Sequence, residues 1–240
     1  MKKYYKVGIV KYTDHASLNR IELGAKNCLK ELGEKYGITF DYENYVYDCK
    51  ADNELMKKAG KDLASAKVDL VISIATPPTV AMKDILAENK INMLFRAVSD
   101  PISANVIDSF EKPGLYITGT SDSLDGGRLA QVALAAVPKA KKIGLLYNSS
   151  EFSSKMPIEE AKEYLNKLGI EWVEANPSCK ADVLDAVKFL ISEGVDAVLT
   201  PTDNTVMSAE MEISPVFTTA GIPQFTGSHA FTINGAFMGM

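Results

Sequence analysis

The chain has 240 residues, 46% hydrophobic and 24% charged, with a mean hydropathy of -0.03; this is the composition of a globular protein with a real core and excludes disordered and collagen-like classes. The formal charge of -5, with Lys and Arg interleaved among Asp and Glu, provides no basic stripe to neutralise a row of phosphates, so nucleic acid is not an expected partner. No stretch reaches the roughly 18 apolar residues needed to span a membrane.

In chain order, short β-rich runs alternate with longer amphipathic stretches, as βαβ units require. Strands are predicted over residues 6–11, 38–46, 69–74 and 92–98, with helices over 16–34, 53–66 and 78–89 between them. Further strands follow at 142–147, 170–175, 197–200 and 223–226, interleaved with helices at 124–136, 157–168, 181–192 and 206–219. Near-continuous apolar strands such as Leu70-Val71-Ile72-Ser73-Ile74 suit a parallel sheet covered by helices on both faces, so the fold class is α/β.

The second half repeats the first at an offset of about 130 residues. Lys6-Val7-Gly8-Ile9-Val10 answers Lys142-Ile143-Gly144-Leu145-Leu146, and Gly37-Ile38-Thr39-Phe40 answers Gly169-Ile170-Glu171-Trp172. Val68-Asp69-Leu70-Val71 answers Val195-Asp196-Ala197-Val198, and Lys90-Ile91-Asn92 answers Gly221-Ile222-Pro223. Two similar doubly wound lobes with a ligand cleft between them are therefore expected. The expected division is 1–118, with 228–240 returning to it, and 119–227.

Ligand-facing loops of a parallel α/β sheet lie at the carboxyl ends of its strands, where helix N-termini present free N–H groups. In the first lobe these loops read Tyr12-Thr13-Asp14-His15, Ala75-Thr76-Pro77-Pro78 and Ser99-Asp100-Pro101; in the second, Asn148-Ser149-Ser150-Glu151, Thr202-Asp203-Asn204-Thr205 and Gly227-Ser228-His229. Hydroxyls and helix N–H groups suit a carboxylate, and a carboxylate such as Asp203 or Asp100 suits an ammonium group, so an α-amino acid would satisfy both. Any one of these residues is equally well explained as a helix cap. What capping does not require is that the richest polar loops all fall on one edge of both lobes.

Catalytic motifs are absent. His15 and His229 are the only histidines, and no GxSxG, HExxH or GxxxxGK[ST] sequence occurs, so acyl transfer, zinc hydrolysis and nucleotide hydrolysis have no motif support. Cys28, Cys49 and Cys179 lie far apart without CxxC spacing and are read as incidental thiols, with no metal, cofactor or disulfide implied. A doubly wound enzyme and a sugar or nucleoside sensor domain share the fold class. The sensor domain of a regulator would carry a helix-turn-helix ahead of the first strand, and only five residues precede it.

Ile74-Ala75-Thr76-Pro77, Ala97-Val98-Ser99-Asp100-Pro101, Lys112-Pro113-Gly114, Ile143-Gly144-Leu145-Leu146-Tyr147-Asn148-Ser149-Ser150-Glu151 and Pro201-Thr202-Asp203-Asn204-Thr205 together resemble the ABC transporter substrate-binding family that includes tryptophan and tyrosine importers. The resemblance covers nearly the whole chain. It implies a type I periplasmic-binding-protein fold, an amino acid ligand of the tryptophan, tyrosine or phenylalanine kind, and a permease with its ATPase as partners. It also implies a monomer located in the periplasm or tethered at the cell surface as a lipoprotein, although the sequence shows no signal segment. By resemblance, Thr76 and Ser99 would hold the ligand carboxylate, with Asp100 beside them, and Asp203 with Asn204 the ammonium group. Ser149, Ser150 and Glu151 would close over the ligand from the second lobe, Asn148, Thr202 and Ser228 would also be ligand-binding residues, and Tyr12 would stack on its side chain. Two departures from the family stand out. The chain stops at Met238-Gly239-Met240, where members continue through a further strand and helices, and Arg96 replaces a small apolar residue.

Overall fold

The computed structural model describes residues 3–240 and divides into two compact units, the first ending at Ser123 and the second beginning at Leu124. The first unit runs β1 (Tyr4–Lys11), α1 (Ala16–Tyr36), β2 (Thr39–Asp41), a 3-10 turn (Glu43–Tyr45) and β3 (Val46–Asp48). It continues through α2 (Asn53–Ser65), β4 (Leu70–Ile74), α3 (Thr76–Glu88), β5 (Asn92–Val98) and β6 (Ile117–Ser121). The second unit runs α4 (Gly126–Ala136), β7 (Lys142–Leu146), α5 (Phe152–Lys167), β8 (Glu171–Ala175), a 3-10 turn (Lys180–Asp182) and α6 (Val183–Ser192). After these come β9 (Ala197–Thr200), α7 (Asn204–Ala220), β10 (Gln224–Thr226), α8 (His229–Ile233) and β11 (Met238–Gly239).

The sheets are ordered β2-β1-β4-β5-β6, with β3 also on β1, and β8-β7-β9-β10-β11; every pairing is parallel. With β2 and β3 taken as one interrupted strand, both units have the doubly wound order 2-1-3-4-5. Strand order reverses between β1 and β4 in one unit and between β7 and β9 in the other, which is where such folds leave a crevice.

The repeat seen in the sequence has a physical basis. The Asp69 carboxylate accepts the Lys6 backbone N–H at 2.9 Å, and Lys6 Nζ donates to the Ala66 carbonyl at 3.1 Å. In the second unit Asp196 accepts the N–H groups of Lys141 and Lys142 at 2.7 and 3.0 Å, and Lys142 Nζ donates to the Glu193 carbonyl at 2.8 Å. Each Val-Asp pair thus pins the start of the first strand to the end of the preceding helix, and the same device is used twice.

Alternation along the strands feeds two apolar layers per unit. In the first, Val7, Ile9, Ile72 and Ile74 pack with Leu18 and Leu29 of α1, while Val10, Val71 and Met93 pack with Met56, Leu63, Met82 and Leu86 of α2 and α3. In the second, Ile143, Leu145 and Leu199 meet α4 and α5, and Leu146 and Val198 meet α6 and α7. The α4 helix has no counterpart in the first unit. A trough of about 550 Å³ lies there, floored by Leu70, Ile72 and Leu94 and walled by Ile21, Gly24, Ala25 and Cys28 of α1. Arg96 stands in its lining, its Nη1 donating to Thr120 Oγ1 at 3.2 Å.

Four expectations differ from the structure. The strand expected over 38–46 is split by the 3-10 turn, and β1 is flanked by both pieces in succession. Residues 117–121, which straddle the expected boundary between the lobes, form β6 on the edge of the first sheet, so the division falls after Ser123 rather than at 118. Residues 228–240 belong to the second unit: β11 pairs with β10, Thr226 Oγ1 donates to the Met238 carbonyl at 3.0 Å, and Phe237 meets Phe225 edge to face at 5.4 Å. Finally, α5 begins ahead of Pro157, which the sequence reading placed at the helix start.

Cys28 and Cys179 are exposed and Cys49 is buried, all three as free thiols; burial pushes the Cys49 thiol up to about 11. Among the described residues, no helix is long and apolar enough to cross a membrane.

The α4–α5 contact provides the test of this packing. A Cβ on Gly126 would lie 1.7 Å from the Pro157 carbonyl oxygen, so Gly126→Ala is expected to force the helices apart and destabilise the second unit by about 1–3 kcal/mol, read as a lower urea midpoint.

Candidate functional site

Both switch points place polar loops at strand carboxyl ends. In the first unit, the loop after β1 leads to His15, which caps α1 by accepting the Leu18 N–H on Nδ1 at 3.4 Å. Tyr12 is half-buried and packs against both apolar layers of its unit. The loop after β4 carries the least expected backbone. Ala75 has φ 88° and ψ 161°, a combination that is essentially confined to glycine and costs an L residue about 1–3 kcal/mol. Its N–H donates to the Arg96 carbonyl at 3.0 Å, and its own carbonyl accepts the Thr79 hydroxyl, which also meets Ser73 Oγ at 2.8 Å.

That backbone delivers Thr76 to the first position of α3. A helix start presents four N–H groups without internal partners; here that of Ala75 goes to the Arg96 carbonyl, and Pro77 and Pro78, which follow Thr76, have none to give. The Thr76 N–H and hydroxyl are therefore the donors of this turn, on a residue only 3% exposed. Near the end of β5, Ala97 is also left-handed at φ 52°, at the point where the β5–β6 register shifts. Ser99 Oγ donates to Asp122 at 3.1 Å and the Ser99 carbonyl accepts Ser121 Oγ at 3.0 Å. Asp100 accepts the Ser103 N–H at 3.0 Å and closes a turn.

In the second unit the equivalent helix start is already occupied by its own acids. The Glu151 carboxylate accepts the Asn204 N–H at 3.0 Å, Asn204 Nδ2 at 2.6 Å, the Thr205 N–H at 2.8 Å and Thr205 Oγ1 at 2.7 Å. Asp203 takes the remaining first-turn N–H, that of Val206 at 2.9 Å, and also accepts the Asn148 N–H at 2.7 Å and Ser154 Oγ at 2.6 Å. Asn148 binds Ser150 through its Oδ1 and donates from Nδ2 to Thr205 Oγ1 at 3.0 Å and the Ser178 carbonyl at 3.3 Å.

The sequence-predicted residues therefore separate into two groups. Glu151 (5% exposed), Asp203 (1%) and Asn148 (7%) form an internal network that ties the loop after β7 to the loop after β9. Ser149 and Ser150 are exposed, Thr202 and Asn204 half-buried, and Ser228 caps α8 by accepting the Ala230 N–H at 3.3 Å. Thr205 and Ser154, absent from the predicted set, are members of the network. Their signal was only the Ser/Thr content of the two loops.

Burial, together with the negative charge of Glu151, holds the Asp203 carboxyl well above the usual carboxylate range. A second buried acid lies along α7. Glu210 is fully buried, its Oε2 receives Gln224 Nε2 at 3.3 Å, and burial pushes its carboxyl up to about 8. Among the described residues, no group of three or more His, Cys, Asp or Glu side chains is placed to hold a metal ion.

Two outcomes follow from this geometry. Ala75→Gly is expected to raise the urea midpoint by relieving the strained backbone, while Ala75→Val lowers it. Glu210 binds a proton more tightly folded than unfolded, so its contribution to stability falls as pH rises from about 4.5 to about 8. Glu210→Gln should therefore flatten the loss of stability between those limits, by about 1.4 kcal/mol for each unit of raised pKa, in unfolding titrations run at both ends of the window.

Residues 6–240 match the family model described as ABC transporter substrate binding protein. A tyrosine-binding protein of Clostridioides difficile (strain R20291) is 32% identical over 237 residues, covering 98% of this chain and 67% of that protein. Among solved structures, an ABC domain in complex with L-Trp from Streptococcus pneumoniae superposes with a TM-score of 0.84 at 29% identity, over 97% of this chain and 77% of the other. A conserved domain protein of Vibrio cholerae gives 0.85 at 27% identity with the same coverage.

Proposed function

Because this chain belongs to the ABC transporter substrate-binding protein family, with the type I periplasmic-binding-protein fold, we propose that it captures an aromatic amino acid and hands it to a membrane permease driven by an ATPase. The observation that carries this reading is the opposite character of two equivalent helix starts. The first turn of α3 offers donors, the Thr76 N–H and hydroxyl, and no acid caps it. The first turn of α7 has its N–H groups taken by Glu151 and Asp203, so its surroundings are rich in acceptor charge. The first suits a carboxylate and the second an ammonium group, the two charged groups of an amino acid.

In this reading Thr76 and Ser99 serve the ligand carboxylate. Asn204, Thr202, Ser149 and Ser150 serve the remainder of the ligand, while the buried Glu151 supplies the negative field that favours an ammonium group. Binding involves no covalent step, and the ligand stabilises the state for which it has the higher affinity. The relative from Clostridioides difficile and the tryptophan-bound structure support an aromatic side chain as first candidate. The same family membership supports a monomer working outside the cytoplasmic membrane, tethered there as a lipoprotein.

A thermal-shift screen over the twenty amino acids, with sugars and nucleosides as controls, tests the ligand class. A compound at 100 times its Kd should add about 2.7 kcal/mol to stability, and tyrosine, tryptophan or phenylalanine is expected to be selected. Selection of a sugar or nucleoside instead would overturn the ligand assignment. Thr76→Ala is expected to weaken binding by about tenfold or more, as loss of a hydrogen bond to a charged group does, and an affinity unchanged in calorimetry would remove Thr76 from the carboxylate site.

A further inference from the structure

Glu151 was expected among the residues that close over a ligand, yet its carboxylate turns inward. It lies between two helix starts: it is the residue before α5, and it accepts four hydrogen bonds of 2.6–3.0 Å from the first two residues of α7. A helix start with free N–H groups attracts an anion, and here the anion is supplied by the protein. Two of the four donors are side chains. Asn204 Nδ2 and Thr205 Oγ1 are both aimed at Glu151, and Thr205 Oγ1 in turn receives Asn148 Nδ2. One carboxylate therefore fixes the direction of side chains from both loops at the β7–β9 switch point.

We propose that Glu151 is a positioning residue of the binding site: its carboxylate is an internal anion that occupies the N-terminus of α7 and holds Asn204, Thr205 and, through Thr205, Asn148 in the orientation that meets the ligand. The proposal rests on the reading that this rim binds an amino acid. It assigns Glu151 no contact with the ligand. Its second consequence concerns selectivity, because a filled α7 start leaves no seat for the carboxylate of a ligand on this rim.

The experiment compares wild type, Glu151→Ala and Glu151→Gln, each with and without excess sodium formate, against sodium chloride at equal ionic strength. The first readout needs no solute. Formate should raise the melting temperature of Glu151→Ala by entering the vacated anion seat and leave the wild type unchanged; equal responses of the two proteins would overturn the internal-anion assignment. The second readout is calorimetric affinity for tyrosine and tryptophan. Glu151→Ala should bind about tenfold more weakly or worse, and formate should restore part of the loss, which a merely structural defect would not permit. Affinity within about twofold of wild type in Glu151→Ala would overturn the proposal, as would a loss that formate leaves untouched while melting behaviour is unchanged, since that pattern marks a direct ligand contact. Where Glu151→Ala does not fold, Glu151→Gln decides. It keeps one acceptor oxygen and places an amide donor against the α7 donors, so tenfold weakening supports the proposal and near-wild-type affinity overturns it. A wild type that binds no amino acid at all contradicts the proposed ligand class, while the formate readout still judges the role of Glu151.

Discussion

A parallel sheet leaves its strands' carboxyl ends on one edge, and each crossover helix then begins on that same edge. In both units of this protein that constraint brings together chain reversals, unpaired helix N–H groups and the short polar residues that satisfy them. The rest of the molecule serves to hold the edge in place. The aspartates at 69 and 196 clamp the opposite end of each first strand, and the apolar layers on either face fix which loops become neighbours. At the edge itself the two units diverge: prolines strip one helix start of N–H donors, and acids fill the other.

That divergence is electrostatic rather than architectural. Placing two prolines after Thr76 narrows the donors of the α3 start to one residue without changing the fold, since proline suits a first helical turn. Supplying Glu151 and Asp203 at α7 fills that helix start with the protein's own negative charge, and eight donors point at the two buried carboxylates. The raised pKa of Asp203 reflects first its burial and then the neighbouring charge of Glu151.

The sequence made the architecture readable because its signals are local and repeated. The Val-Asp pairs, the Gly that ends each long helix and the apolar strands recur in the same order, and β5 and β9 fall at their expected positions. Elements were missed where side-chain chemistry and backbone state part company. The Thr-Gly-Thr-Ser of β6 is polar because the strand lies on the sheet edge, and the 3-10 turn inside 38–46 interrupts an otherwise continuous β pattern. At the candidate site, residue types were legible and their directions were not. Asp, Glu, Ser and Thr serve equally as helix caps and as ligand groups, and only distances show that Glu151 and Asp203 face the protein. Ala75 gave no signal at all, because an alanine does not announce a glycine-like backbone.

The distribution of thiols adds an experimental handle of its own. One exposed cysteine sits on each unit, Cys28 on α1 and Cys179 before α6, and the third is buried with its thiol held protonated. The unmodified sequence thus already carries one attachment point on each unit for an environment-sensitive dye. Each label would report separately on the surroundings of its own unit as solute is added, without introducing a single mutation.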